Sequence, residues 1–269
     1  MMTENKIRQL LEAGKPMLGT RISASWPVMT EAAGSTGLFD YVEFLAEYSP
    51  FDQYDLENIA RAAELHGMGS MIKVDFQNRG YVAQKALASG FQAILFTDHH
   101  DAGQVEETLR LVRAESPAAG GLMGYTTRRW IGYRTSRSQT QFVEMSGKSV
   151  FAFMIEKREA VDNIDSICAV PGVDMIQFGA FDYSMSCGFE LSERQAEVKE
   201  AELKVIRTAL KHGKRPRAEI QSPDQAQYYL DLGVKDFSIG SEMAIMLAYW
   251  RTEGGRMREL LSGGGARGA

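Results

Sequence analysis

FMIEKREAVDNIDSICAVPGVDMIQFGAFDYS, residues 153–184, sets two apolar runs on either side of a segment with helical spacing. The runs are short enough for buried strands, and two consecutive strands joined through a helix run parallel. Each run is followed by an acid, Glu156 after the first and Asp182 after the second. A parallel pair therefore carries both carboxylates to the same edge of one sheet.

The same rhythm extends outward in both directions. Upstream, apolar runs at 16–23, 41–48, 69–75 and 93–98 are each followed by a helical pattern, at 27–37, 53–66, 79–89 and 103–114. The two runs of the opening stretch belong to 149–156 and 173–179, with helical patterns at 158–169 and 191–212; runs at 215–220 and 236–241 precede patterns at 223–231 and 241–251. Helix boundaries agree with this division. Ser222, Pro223 and Gln225 have the spacing of an N-cap, a first helical position and a capping box, and Gly90, Gly213 and Gly233 stand where helices should stop. Eight strand–helix units in one chain close most simply as a (β/α)8 TIM barrel of class α/β, with an open doubly wound sheet as the alternative. The expectation is one domain over residues 1–261 and a disordered Gly-rich tail over 262–269.

Composition sets limits on partners. Hydrophobic residues make up 44% of the chain and charged residues 24%, and a net charge of −5 opposes general affinity for nucleic acid. No membrane partner is expected, because the N-terminal MMTENKIRQLLEAGK has no long apolar segment. The two cysteines, Cys168 and Cys187, fit a reducing cytoplasm. Cys168 falls on the apolar stripe of its helix and should be buried. Residues 115–148 break the rhythm, and long connections in compact domains often serve function.

Barrel enzymes assemble their sites from the C-terminal ends of the strands. Here those ends offer Arg21, Glu47 with Tyr48, Lys73, Asp98 with His99 and His100, Glu156, Asp182, Glu219 with Gln221, and Ser241. Polarity at a strand end is ordinary at any single position. Glu156 and Asp182, however, would sit on neighbouring strands, where two carboxylates repel unless a cation lies between them. Oxygen ligands suit Mg²⁺ or Mn²⁺, with Co²⁺ also acceptable, and an ion held by two carboxylates keeps open positions. A 2-oxo acid could chelate there, and the ion would stabilise an enolate formed from it. Arg21 and Lys73 would neutralise the substrate carboxylate or the enolate oxygen.

The segments EAGKPMLGTRIS, IEKREAVDNIDSICAVPGVDMIQFGAFDYS and YYLDLGVKDFSIGSE resemble the HpcH/HpaI aldolase family, metal-dependent class II pyruvate aldolases of the pyruvate/phosphoenolpyruvate barrel superfamily. The likeness runs from about Ala13 to Met246. It implies that Glu156 and Asp182 are the metal ligands, and that Glu47 stands just ahead of the catalytic histidine position. It also implies substrate contacts at Glu47, Ala180 and Phe181, and trimers or hexamers whose last helices pack on neighbours. The chain departs from the family pattern at three places. Leu45-Ala46-Glu47-Tyr48 replaces the usual Asp-x-x-His dyad, Lys73 replaces an arginine that clamps pyruvate oxygens, and Gly179-Ala180-Phe181-Asp182 replaces Gly-Pro-Ala-Asp.

Lysine keeps the charge at position 73 but loses the two-pronged grip of a guanidinium. Tyrosine is a poor base near neutral pH but can donate a proton, so Tyr48, His99 or His100 would handle the proton. In the irregular segment, Arg128, Arg129, Arg134 and Arg137 would suit an acidic or phosphorylated aldehyde, in a stretch that the resemblance brings toward an active site, often a neighbouring subunit's. The leading expectation is a metal-dependent carbon–carbon lyase acting on a 2-oxo acid. The alternatives are hydrolysis, decarboxylation or biosynthetic condensation on the same metal site, or a ligand-binding barrel without activity.

Overall fold

The computed structural model describes residues 4–133 and 137–262. A short helix α1 (Lys6–Glu12) precedes the repeating units, which open with β1 (Met17–Ile22), α2 (Pro27–Ser35), β2 (Tyr41–Leu45), α3 (Gln53–Leu65), β3 (Gly69–Val74), α4 (Tyr81–Ser89), β4 (Ala93–Phe96) and α5 (Ala102–Val112). After an excursion containing α6 (Gln139–Ser146) come β5 (Val150–Ile155), α7 (Arg158–Asp162), α8 (Ile164–Ala169), β6 (Met175–Phe178), α9 (Ala180–Ser186) and α10 (Gln195–Lys211). The chain ends with β7 (Arg215–Ile220), α11 (Ala226–Asp231), β8 (Asp236–Ser241), α12 (Glu242–Tyr249) and α13 (Gly255–Leu261). All eight strands pair in parallel with their sequence neighbours, and β8 closes on β1. The expected (β/α)8 barrel is the fold.

Local departures have local causes. Ser222 accepts from the Asp224 N–H at 3.1 Å, but the Gln225 side chain accepts from the Gln221 N–H at 2.7 Å, so a 3-10 turn forms in place of the expected capping box. Asn163 divides the helix expected over 158–169 into α7 and α8. An extra helix, α9, starts immediately after β6 and carries Asp182 in its first turn. The irregular segment contains α6, opened by a full capping box between Ser138 and Gln141.

Alternate residues of each strand face the helices or the barrel interior. Outward-facing Phe44, Ile72, Ile94, Phe96, Phe153 and Ile155 join the helix-side core, each contributing roughly 1.5–3 kcal/mol by burial. The interior holds Met17, Met71, Leu95, Met154 and Met175 around Tyr41. Gly19 makes room for that ring, since a Cβ there would overlap Tyr41 Cζ. The interior is also charged. Arg217, fully buried, donates to Tyr41 Oη at 2.6 Å and to Gln177 Oε1 and Glu43 Oε2, and Gln177 donates onward to Glu219 at 3.1 Å.

Cys168 is buried as expected, and burial pushes its thiol up to about 12. A thiol reagent should therefore label at most Cys187 in the native protein and both cysteines after unfolding; rapid native labelling of Cys168 would contradict this packing. No helix among the described residues is long and apolar enough to cross a membrane.

Candidate metal centre

Glu156 follows β5 directly and is only 1% exposed. Its Oε1 accepts the backbone N–H of Asp98 at 2.9 Å, while its Oε2 is buried with no partner. Asp98 adopts a left-handed φ of 62°, a conformation that costs most residues roughly 1–2 kcal/mol and suits Asp and Asn best. The conformation is offset by that N–H bond, by Thr97 Oγ1 donating to Oδ2 at 3.1 Å, and by Lys157 Nζ 2.5 Å from Oδ1. Burial pushes the Glu156 carboxyl up to about 7, against the pull of Lys73 and the Asp98 N–H, and the charges of Asp98 and Asp182 add to the rise.

Glu47, past the end of β2, pairs with Lys73 of β3 at 2.5 Å. Burial works against the charge on Lys73, but Glu47, Glu156 and Glu43 outweigh it and hold the ammonium above the usual lysine range. Burial likewise opposes ionisation of Asp98, and Lys157 reverses it. One carboxylate oxygen each from Glu47, Asp98 and Glu156 lies within 4.8 Å of the others. Oxygen donors alone, packed this closely and including a buried carboxylate with one oxygen unpartnered, fit a hard divalent cation. Glu47, expected to contact substrate, thus stands inside the acidic cluster.

Asp182 is outside that group of three, in the first turn of α9, near enough for its charge to bear on Glu156, Tyr48 and Lys157. The start of α9 reaches the cluster because residue 179 is glycine. A Cβ there would meet Glu156 Cβ at 2.8 Å and Oε2 at 2.9 Å, so the requirement is for space. Gly179→Ala is expected to displace the Glu156 carboxylate and lower turnover roughly 10²-fold, as small misplacements do, with the fold retained by circular dichroism. Unchanged turnover would show that this close approach is dispensable.

Other expected site residues are placed elsewhere. Arg21, on β1 beside β2, is held by Glu219 and by the Gly240 carbonyl at 3.0 Å. His99 does not face the rim. It is 0% exposed among Phe76, Phe96 and Phe153, with Nδ1 2.7 Å from the Thr97 carbonyl oxygen and Nε2 2.6 Å from Thr108 Oγ1. Burial pushes its imidazole down to about 4, so the ring is neutral and fully engaged. His100 turns outward to Glu159 of α7, 3.3 Å away. Arg128 and Arg129 pair with Glu57 and Glu64 on the outer helix α3, with Trp130 beneath them on Phe142. Arg134 lies outside the described residues.

Tyr48 is 84% exposed, and the little burial it has, with Glu47, Asp182 and Asp98, raises its phenol above the usual tyrosine range. Ala180 and Phe181 open α9, which has no side-chain N-cap. Asp98 and Lys157 were legible only as one more acidic strand end and the residue after Glu156. Their pairing needs strands β4 and β5 side by side, which no spacing along the chain reveals.

Comparisons with known proteins identify the family. The 5-keto-4-deoxy-D-glucarate aldolase of Klebsiella pneumoniae is 24% identical over 244 residues, 90% of this chain and 92% of that protein. The hydroxypyruvate/pyruvate aldolase of Pseudomonas aeruginosa is 26% identical over 259 residues, 94% of this chain and 93% of that protein. The crystal structure of the citrate synthase SbnG matches with a TM-score of 0.84 at 23% identity, covering 96% of this chain and all of that one, a likeness of fold. A family model described as HpcH/HpaI aldolase/citrate lyase matches residues 22–243, which is most of the chain. The protein belongs to the HpcH/HpaI aldolase/citrate lyase family.

Proposed function

We propose that the protein is a divalent-metal-dependent carbon–carbon lyase acting on a 2-oxo acid, with Mg²⁺ or Mn²⁺ as the ion. The observation that carries this reading is the Glu156 carboxylate, buried at a strand end with Oε2 unpartnered and one oxygen within 4.8 Å of Glu47 and Asp98 oxygens. Glu156 and Asp182 would hold the ion, which when bound would supply Lewis-acid stabilisation to an enolate oxygen. Lys73, cationic and fixed by Glu47, faces the same space and would balance the substrate carboxylate. The uncapped first N–H groups of α9, at Ala180 and Phe181, would orient that carboxylate.

With His99 sealed in the core and His100 turned outward, Tyr48 is the remaining proton carrier of the three expected. A phenol raised above its usual pKa is an acid at neutral pH. It would donate to the alkoxide formed when an enolate adds to an aldehyde, which favours the condensation direction, and the reverse cleavage would need its phenolate. Arg128 and Arg129 are engaged by Glu57 and Glu64, so they lend no support within one chain to an acidic or phosphorylated aldehyde. A homo-oligomer, trimer or hexamer, is supported by α12 and α13, which bury no residue and expose Ile245, Tyr249, Leu260 and Leu261.

The test is deuterium exchange into the methyl protons of pyruvate by chelated protein, with Mg²⁺, Mn²⁺ or Co²⁺ added back. Exchange that needs the ion is the expected result. Absence of exchange with every ion, for pyruvate and for a panel of other 2-oxo acids, would remove the enolate reading. Light scattering on the same sample reads the oligomeric state.

A further inference from the structure

We propose that Asp98 is a further carboxylate of the metal centre, acting with Glu47 and Glu156, and that Lys157 is the counter-ion that holds it before an ion is loaded. This rests on the metal-dependent reading above and adds residues to it. Three acids from three strand ends, β2, β4 and β5, present oxygens within 4.8 Å of one another. Glu156, a member of this group and 1% exposed, keeps its Oε2 buried without a partner. Asp98 is bound to the same residue by its own N–H, so its left-handed backbone fixes the main chain and the carboxylate against Glu156 together.

Two ammonium groups offset part of the cluster's negative charge. Lys73 covers Glu47 and Lys157 covers Asp98, each at 2.5 Å, and neither reaches Glu156 Oε2 within hydrogen-bond distance. The carboxylates of Glu47 and Asp98 are therefore held in place, each by one side-chain cation that a divalent ion can displace. Lysine suits that task better than arginine, because a single point charge on a flexible stem leaves its partner without breaking a bidentate pair. Lys157 follows Glu156 in the chain, so its ammonium remains beside the site after displacement.

The experiment is a Mn²⁺ titration of the chelated full chain, with free Mn²⁺ read by electron paramagnetic resonance and no turnover involved. Asparagine at position 98 keeps the N–H bond to Glu156 and tolerates the left-handed backbone, so Asp98→Asn should fold, which near-ultraviolet circular dichroism checks. The expected results are binding by the wild type, loss of binding in Glu156→Gln, and an affinity lowered by about 10–100-fold in Asp98→Asn. Lys157→Met should bind about tenfold more tightly than the wild type, because a competing cation is gone. Wild-type affinity in Asp98→Asn would overturn this inference while leaving the metal-dependent reading standing. A wild type that binds no Mn²⁺ would overturn both, and unchanged affinity in Lys157→Met would overturn the counter-ion role.

Discussion

Glu156→Gln is expected to lower metal-dependent deuterium exchange into pyruvate by roughly 10²–10³-fold or more, the scale seen when one group that stabilises a developing oxyanion is removed. Glutamine keeps the size of the side chain and an oxygen for the Asp98 N–H, so what is lost is the charge and the second carboxylate oxygen. Stability should hold or rise, because a buried carboxyl pushed up to about 7 by desolvation is costly to keep. Activity and stability moving in opposite directions is the signature of a group kept for function. Exchange surviving at wild-type rate in Glu156→Gln would show that the enolate is stabilised elsewhere.

Arg217→Met should be the most destabilising single change in the barrel. The guanidinium is fully buried and satisfies Tyr41, Gln177 and Glu43 at once. Burial lowers the tendency of Arg217 to hold its charge, but Glu43 and Tyr41 more than restore it. Removing it strands the Glu43 carboxylate in the interior, and breaking a buried pair in this way costs about 3–5 kcal/mol. For a chain of this size that corresponds to a melting temperature lower by roughly 6–20 °C. The double variant Glu43→Leu with Arg217→Met removes both charges and should recover most of the loss, since an apolar pair can replace a buried ion pair at little cost. Equal destabilisation of the single and double variants would mean that the loss comes from packing and not from the stranded charge.

Much of the site was legible as residue types at strand ends. Glu156, Glu47 and Lys73 were all expected at one rim, and the barrel brings them together through the neighbouring registers of β2 to β5. The histidines were misplaced for a physical reason. Thr97-Asp98-His99 follows β4, and the left-handed turn at Asp98 keeps its own carboxylate at the cluster while the His99 ring packs into the layer of Phe76, Phe96 and Phe153. A one-residue change in backbone handedness decides which side chain faces the site. The arginines of the irregular segment were visible as a cluster, but their acidic partners, Glu57 and Glu64, lie far away in sequence on α3.

The interior network shows the same division. Glu43 breaks the otherwise apolar YVEFL and Arg217 is one of three charged residues in RPRAEI, which leaves the two unpaired in the sequence. The order of elements, the closed parallel sheet and the acids at its rim follow from short-range patterns, because periodicity, turn chemistry and strand length are local properties of the chain. Which acids share an ion-sized space, which lysine neutralises which carboxylate, and which histidine is sealed away were decided only by the tertiary structure. Those outcomes depend on barrel closure and register, which set distances between residues that the chain itself keeps far apart.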